Sequence, residues 1–504
     1  MAFPNFNEDS ALQKPLEHFR AKTKRLKIHP LELLLLWIVG VHLVFLPWAI
    51  GGMRLWGQLV SITLALASLG VALIPRHYTE EHTGAGGFRL VTWPKLVRFP
   101  IFWIGLLLFG YIALQGSNPA WIYRDDGKGW WMEAIPYIEW LPTSVSVPFD
   151  HGGGPWRVMI VYASAWLMGC AIWVGFTRRR TLQALFIAVS ANGIALAGFG
   201  LIQRMLSNGK LFWFWESPNS SFFSSFVYKN QAGAYLNLTL AVTCGLGTWY
   251  YLRGLRRLEK SNPAGLFAFF ATCIAVAILV SYARGATLIM LLFLCGCAVA
   301  FTVKHLRAPN AARRPVVGIA LLLIFCFFLK TGFDALNSRE AWTRLSNGLN
   351  GQDTSLESRR TATQAAIEMW GNSWRWGVGA GCFRFLFPVY QQHYPSILTL
   401  DGKADGPHAY WEHAHNDLVE TSLELGVPGL ALVLAAGCFL SVRLIRIQFW
   451  GNPLGGCATF GNILLIVYAR WDFPLQCPAV LVLWVALSVA TLSWTQFEEM
   501  NPKG

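Results

Sequence analysis

The sequence His413-Ala414-His415-Asn416-Asp417, continuing through Glu420 and Glu424 to Gly426-Val427-Pro428-Gly429, runs straight into an apolar segment at residues 428 to 447 that is long enough to cross a bilayer. Two histidines, an amide and three carboxylates therefore stand at the mouth of a membrane. Hydrophobic pressure alone would put none of them there. The stretch reads as the lip of a site, and the segment behind it as a span.

Composition extends that reading to the whole chain. With 504 residues, 54% hydrophobic content, 13% charged residues and a mean hydropathy of +0.41, the chain is too apolar for a soluble protein of this size. It reads as an all-α polytopic membrane protein. Apolar stretches of spanning length occur near residues 33 to 50, 57 to 75, 99 to 115, 157 to 176, 182 to 204, 232 to 251, 264 to 281, 285 to 303, 315 to 333, 428 to 447, 455 to 471 and 478 to 494. They predict about twelve transmembrane helices.

Net charge is +14, and its placement explains it better than a nucleic-acid partner would, so no nucleic acid is expected. With a cytoplasmic N-terminus, the inside segments hold 24 of the 41 Lys and Arg. Seven more sit in one long outside loop, residues 334 to 427, which the positive-inside rule exempts for its length. Four regions follow: a basic cytoplasmic tail at 1–30, helices 1 to 9 within 31–333, the long loop at 334–427, and helices 10 to 12 with a cytoplasmic C-terminus at 428–504. The tail reads as a solvated segment near the inner leaflet, and no removable signal peptide is expected. Nearly all ten cysteines fall inside spans, which argues against a disulfide framework.

The outside loops hold the remaining polar features. Loop 116 to 156 carries Trp121, Trp130, Trp131, Trp140 and Trp156, read as an interfacial aromatic belt. Arg204 stands at the outer end of helix 5, and Arg284 lies in the short hairpin Ser281-Tyr282-Ala283-Arg284-Gly285-Ala286. The long loop has 11 acidic and 7 basic side chains, against the sign of the chain. Within it, Ser358-Arg359-Arg360 opens a helix whose apolar positions, Ala362, Ala365, Ala366, Met369 and Trp370, recur at helical spacing. The turn Trp376-Gly377-Val378-Gly379-Ala380-Gly381-Cys382 has no βαβ context and is no nucleotide fingerprint.

Four segments resemble the O-antigen ligase and polymerase superfamily of bacterial membrane glycosyltransferases. They are Tyr228-Lys229-Asn230-Gln231-Ala232-Gly233; Ser281 to Ala286; Arg359 to Phe383 with His415-Asn416 through Gly429; and Arg470-Trp471-Asp472-Phe473-Pro474-Leu475-Gln476. The first 200 residues match only in hydropathy. Lys229 stands where the family often has Arg, which keeps the charge and loses the bidentate fork.

The resemblance implies a GT-C-like helical bundle with a helical periplasmic loop in the bacterial inner membrane. It also implies transfer of a glycan from an undecaprenyl diphosphate carrier to an acceptor hydroxyl of lipid A-core or a similar glycan. No cofactor is implied. The departing lipid diphosphate calls for cations beside the bilayer, where an arginine costs about 2.5 to 3.5 kcal/mol to insert. Arg284, Arg204, Arg359, Arg360, Lys229 and Asn230 are the expected diphosphate contacts. His415 is the expected general base, Asn416 orients an acceptor or the backbone, and Glu424 holds the imidazole or caps a buried edge. His413 and His408 are alternative bases. The His413-x-His415 spacing also permits a metal, but it is not H-E-x-x-H and Cys382 is solitary, so none is expected. Asp472 beside Arg470 reads as an ion pair. The runner-up activity is a polymerase. A transporter or flippase would instead place ionisable groups at mid-span, where His42 is the one exception.

Overall fold

Helix α1 (Pro30–Trp48) begins where Pro30 presets φ and His29 Nδ1 accepts from the Leu31 amide at 3.2 Å. The computed structural model describes residues 27–83, 86–257, 261–306, 354–399 and 408–500. After α1 come α2 (Leu55–Leu73), α3 (Pro100–Ser117), α4 (Pro155–Gly175), α5 (Arg179–Met205), α6 (Lys229–Arg257), α7 (Ala264–Val280) and α8 (Arg284–Leu306). Then follow α9 (Thr354–Ser373), α10 (Phe383–Gln391), α11 (Asp417–Arg446), α12 (Pro453–Tyr468) and α13 (Pro478–Met500). The expected span at 315–333, most of the basic tail and the first part of the long loop lie outside the described residues. Every other expected span coincides with a helix. The chain is an all-α polytopic membrane protein.

Among the described residues, eight helices are long and apolar enough to cross a membrane: α1 to α5, α8, α11 and α13. Helices α7 and α12 are apolar but shorter. Within its span α13 is 83% buried, against 17% for α3 and α11, so α13 runs through the bundle while α3 and α11 offer most of their apolar surface to lipid. Helix α6 falls outside the eight because its sequence is polar. Its polar groups face other helices: Asn237 Nδ2 donates to the Ala286 carbonyl at 2.9 Å, and Thr243 Oγ1 meets Ser190 Oγ at 2.7 Å. Buried polar groups paired between helices are how a membrane protein keeps a low-hydropathy helix inside.

One end of the bundle is fixed by Glu32, a fully buried carboxylate in the first turn of α1. It accepts from Tyr78 Oη at 2.8 Å, from the Thr177 amide at 3.0 Å and hydroxyl at 2.8 Å, from the Arg178 amide at 3.1 Å and from Thr181 Oγ1 at 2.8 Å. These donors join α1 to the α4–α5 turn, and a buried charge so satisfied holds the helices in register. His42, at mid-span in α1, bonds Ser61 of α2 at 2.7 Å.

The segments read as irregular loops include two departures from all-helical structure, one at each end of the bundle. Residues 119–146 form a three-stranded sheet of order β4-β3-β5, with β3 (Pro119–Asp125) antiparallel to β4 (Trp130–Ala134) and parallel to β5 (Ser144–Ser146). Strand β1 (Arg76–Tyr78) pairs antiparallel with β2 (Phe88–Leu90) at the Glu32 end. The larger sheet helps build a second core. Ala362, Ala365, Ala366 and Met369 of α9 pack with Val145 of β5, Phe383, Phe385 and Phe387 of α10, and Leu423 of α11. The three- and four-residue spacing on α9 is the stripe that this core buries.

Helix α11 is broken at Gly426 (φ 58°, ψ −172°), which separates a short polar segment from the long apolar one. The break frees backbone groups, and the glycine turn fills it. The amides of Val378 and Gly379 donate to the carbonyls of Leu423 at 3.0 Å and Glu424 at 3.1 Å, and Gln115 of α3 donates to Glu424 O and Trp376 O, each at 3.0 Å. Irregular backbone at the edge of a membrane survives only with such partners. A Cβ on Gly426 would lie 2.5 Å from the Gly377 nitrogen, in a conformation that side chains avoid. Gly426→Ala is expected to cost about 1 to 3 kcal/mol, read as a lowered unfolding temperature in detergent, whereas Gly437→Ala, where an added Cβ meets nothing within 4 Å, does not lower it.

Candidate active site

The helix ends opposite Glu32 converge. Ser225 Oγ donates to Pro47 O at 2.7 Å and Cys477 Sγ to Gly51 O at 3.4 Å, tying the α5–α6 loop and the start of α13 to the end of α1. Among these ends lies Asp472, in the turn between α12 and α13, and 2% exposed.

Asp472 gathers its neighbours from distant parts of the sequence. Its Oδ2 accepts from Asn230 Nδ2 in a short contact and from Tyr468 Oη at 3.1 Å, and lies 3.8 Å from Arg359 Nη1. Its Oδ1 accepts from the Phe473 amide at 3.0 Å and lies 3.5 Å from His415 Nδ1, an ion-pair distance longer than a well-formed hydrogen bond. Burial pushes this carboxyl up, but the His415 contact and the Arg359 charge outweigh it and hold Asp472 below the ordinary carboxylate range. Its ion-pair partner is thus Arg359. Arg470 is exposed, which corrects the expected Asp472–Arg470 pair for a simple reason: residues two apart in a turn point to opposite sides.

His415 itself adopts a left-handed backbone (φ 52°), an uncommon state for a residue with a Cβ. Its ring meets Phe473 edge-on at 4.8 Å and Trp411 at 5.6 Å. Nδ1 is buried, so the 19% of the side chain that remains exposed leaves the Nε2 edge open to a reactant. Burial lowers the imidazole pKa below 6.5, although Asp472 pulls the other way. The ring is therefore neutral, and able to accept a proton, near neutral pH.

On the other side of Phe473, His413 stacks at 4.5 Å and 27°. Its Nδ1 pairs with Glu420 Oε1 at 2.7 Å, and Glu420 Oε2 accepts from the Ala414 amide at 2.8 Å. Two histidine–carboxylate pairs therefore flank one phenylalanine, each histidine with its own acid. Asn416 caps α11, with Oδ1 accepting from the Val419 amide at 3.2 Å, and Asp417 Oδ2 accepts from the Leu475 amide at 2.8 Å. These bonds fix the start of α11 to the Asp472 turn.

The other expected residues divide. Arg359 turns inward, with Nη2 donating to Tyr228 Oη at 3.0 Å, whereas Arg360, one residue on and about a quarter turn away, is exposed. Asn230 and Lys229 open α6, Asn230 inside the cluster and Lys229 half-buried beside it. Arg284 opens α8 next to Gly285, where a Cβ would meet the Tyr468 ring at 2.5 Å, so that helix start lies against the same cluster. Arg204 sits over the Tyr282 ring at 5.2 Å in the neighbouring hairpin. Glu424 lies apart from His415: its Oε1 accepts from the Phe383 amide at 3.2 Å, so it caps the buried edge of the glycine turn. His408 is exposed at a bridge to Thr399.

Sequence reading did not single out Tyr228, Tyr468 or Phe473 as site residues, gave Glu420 no role of its own, and gave Asp472 the wrong partner. Tyr228 and the Asp472 turn lie inside segments that carry the family resemblance, so their presence was visible. Their convergence across 131 and 242 residues of chain was not.

No curated protein matches the chain. Residues 266–434 match a family model described as O-Antigen ligase. That segment includes Arg284, Arg359 and His415, and over it the chain is similar to the O-antigen ligase family, which supports the resemblance carried by its motifs.

Proposed function

We propose that the chain is a membrane glycosyltransferase of the ligase type, which moves a glycan from undecaprenyl diphosphate to a hydroxyl of lipid A-core on the periplasmic face of the inner membrane. The observation that carries this reading is His415, with its Nδ1 edge on the buried Asp472 carboxylate and its other edge open, in one cluster with Arg359. Support for the sidedness comes from the opposite end, where Arg76, Arg178, Arg179 and Arg180 gather near Glu32, as cytoplasmic loops do.

In this reaction the acceptor hydroxyl gives its proton to His415 Nε2 as its oxygen attacks the anomeric carbon of the donor sugar. The bond from that carbon to the diphosphate oxygen breaks, and the electron pair leaves on the lipid diphosphate. Asp472 stabilises the imidazolium that forms, and Arg359, Arg284, Lys229 and Arg204 stabilise the departing anion. Asn416 holds the backbone that presents His415, and Glu424 holds the turn behind it. Cationic side chains carry the anion, so the reading is metal-independent and needs no cofactor.

Purified protein supplied with carrier-linked glycan and lipid A-core, with EDTA in a parallel arm, tests the reading. Glycan on lipid A-core supports the ligase, lengthening carrier-linked chains would replace it with a polymerase, and no transfer would overturn the glycosyltransferase. His415→Ala is expected to lower the rate by about 10²- to 10⁴-fold, and Arg284→Ala to abolish transfer, both at normal membrane levels. Activity is expected to fall as pH drops and His415 gains its proton. Because burial disfavours the charged ring, the midpoint of that loss lies below pH 6.5 in a pH–rate profile.

A further inference from the structure

Proton counting around Asp472 leaves one hydrogen unassigned. Asp472 is ionised and can only accept. Asn230 must therefore present its amide nitrogen to it, because the amide oxygen there would face a carboxylate oxygen. The same Asn230 nitrogen donates its other hydrogen to Tyr228 Oη at 2.7 Å. Arg359, which has no acceptor, also donates to Tyr228 Oη, at 3.0 Å. The phenolic oxygen thus takes two donors, and these use both of its acceptor directions.

The proton of Tyr228 then has no acceptor in the protein among the described residues. It cannot turn back toward the Arg359 guanidinium or the Asn230 amide nitrogen, the groups that face it, which offer only hydrogens. Burial also pushes this phenol up, so it stays protonated at any working pH. The ring direction is fixed as well: Tyr228 stacks on Phe473 at 5.2 Å and 2°, and Phe473 carries His415 on its edge.

We infer that the Tyr228 hydroxyl donates a hydrogen bond to a phosphate oxygen of the lipid diphosphate, beside Arg359. Two donors to its oxygen polarise the O–H bond and strengthen it as a donor to an anion. Asp472 thereby serves both halves of the reaction: it faces the base through His415, and it orients the diphosphate donor through Asn230 and Tyr228. This inference rests on the proposed diphosphate-linked donor.

The test uses full-length protein in detergent and two probes, farnesyl diphosphate and uncharged farnesol, with binding measured by calorimetry for wild type and Tyr228→Phe. Phenylalanine keeps the stack on Phe473 and removes only the hydroxyl. The expected result is a loss of farnesyl diphosphate affinity on the order of 10- to 100-fold, as for a hydrogen bond to a charged group, with farnesol binding unchanged. Equal farnesyl diphosphate affinity in both proteins overturns the inference while leaving the proposed donor class intact. Parallel loss of both probes makes Tyr228 structural and also overturns it. Failure of wild type to bind farnesyl diphosphate removes the proposed donor class itself, and the inference with it.

Discussion

The structure depends on one buried charge. Removing the Asp472 carboxylate from water costs several kcal/mol in a protein interior, and the chain offsets that cost with donors from two distant segments and from the helix that leads into its own turn. Asn230 comes from the start of α6, Tyr468 from the end of α12, and Arg359 from the helix beyond the membrane bundle. None of these would otherwise have reason to meet. The same carboxylate faces His415, so what closes the bundle at this end also sets the histidine's orientation and its neighbours.

A second constraint positions the loop that brings His415 to Asp472. Helix α11 must leave the membrane and still present a short polar turn, and the break at Gly426 achieves this without orphaned backbone, because Gln115 and the glycine turn take up the freed carbonyls. Behind the turn, the small core of α9, α10 and β5 keeps Arg359 and His415 on one body. Glu424 belongs to this support. A carboxylate two helical turns from Asn416 looked in sequence like a partner for the base, yet the break places it against Phe383.

Much of the fold was legible because it rests on local physics. Span length and apolarity located the helices, and the spacing of Ala362, Ala365, Ala366 and Met369 located the buried face of α9. Helix α6 was legible as a span yet carries buried polar groups that hydropathy alone counts against it. The sheet at 119–146 was hidden because a tryptophan-rich loop reads equally well as an interfacial belt. In the site, residue types in recognisable motifs were visible, including His415, Arg284, Arg359 and Asn230. The pairings were not, since Asp472 prefers a partner 113 positions away over its sequence neighbour Arg470, and nothing local to either residue records that choice.

If Asp472 acts through His415, the two cannot contribute independently. A double-mutant cycle on glycan transfer, using Asp472→Asn, His415→Gln and the double variant, measures that coupling directly. The account predicts that the double variant is no slower than His415→Gln alone, because the carboxylate has lost the group it serves. Additive losses, with the double variant slowed by the product of the two single effects, would contradict it.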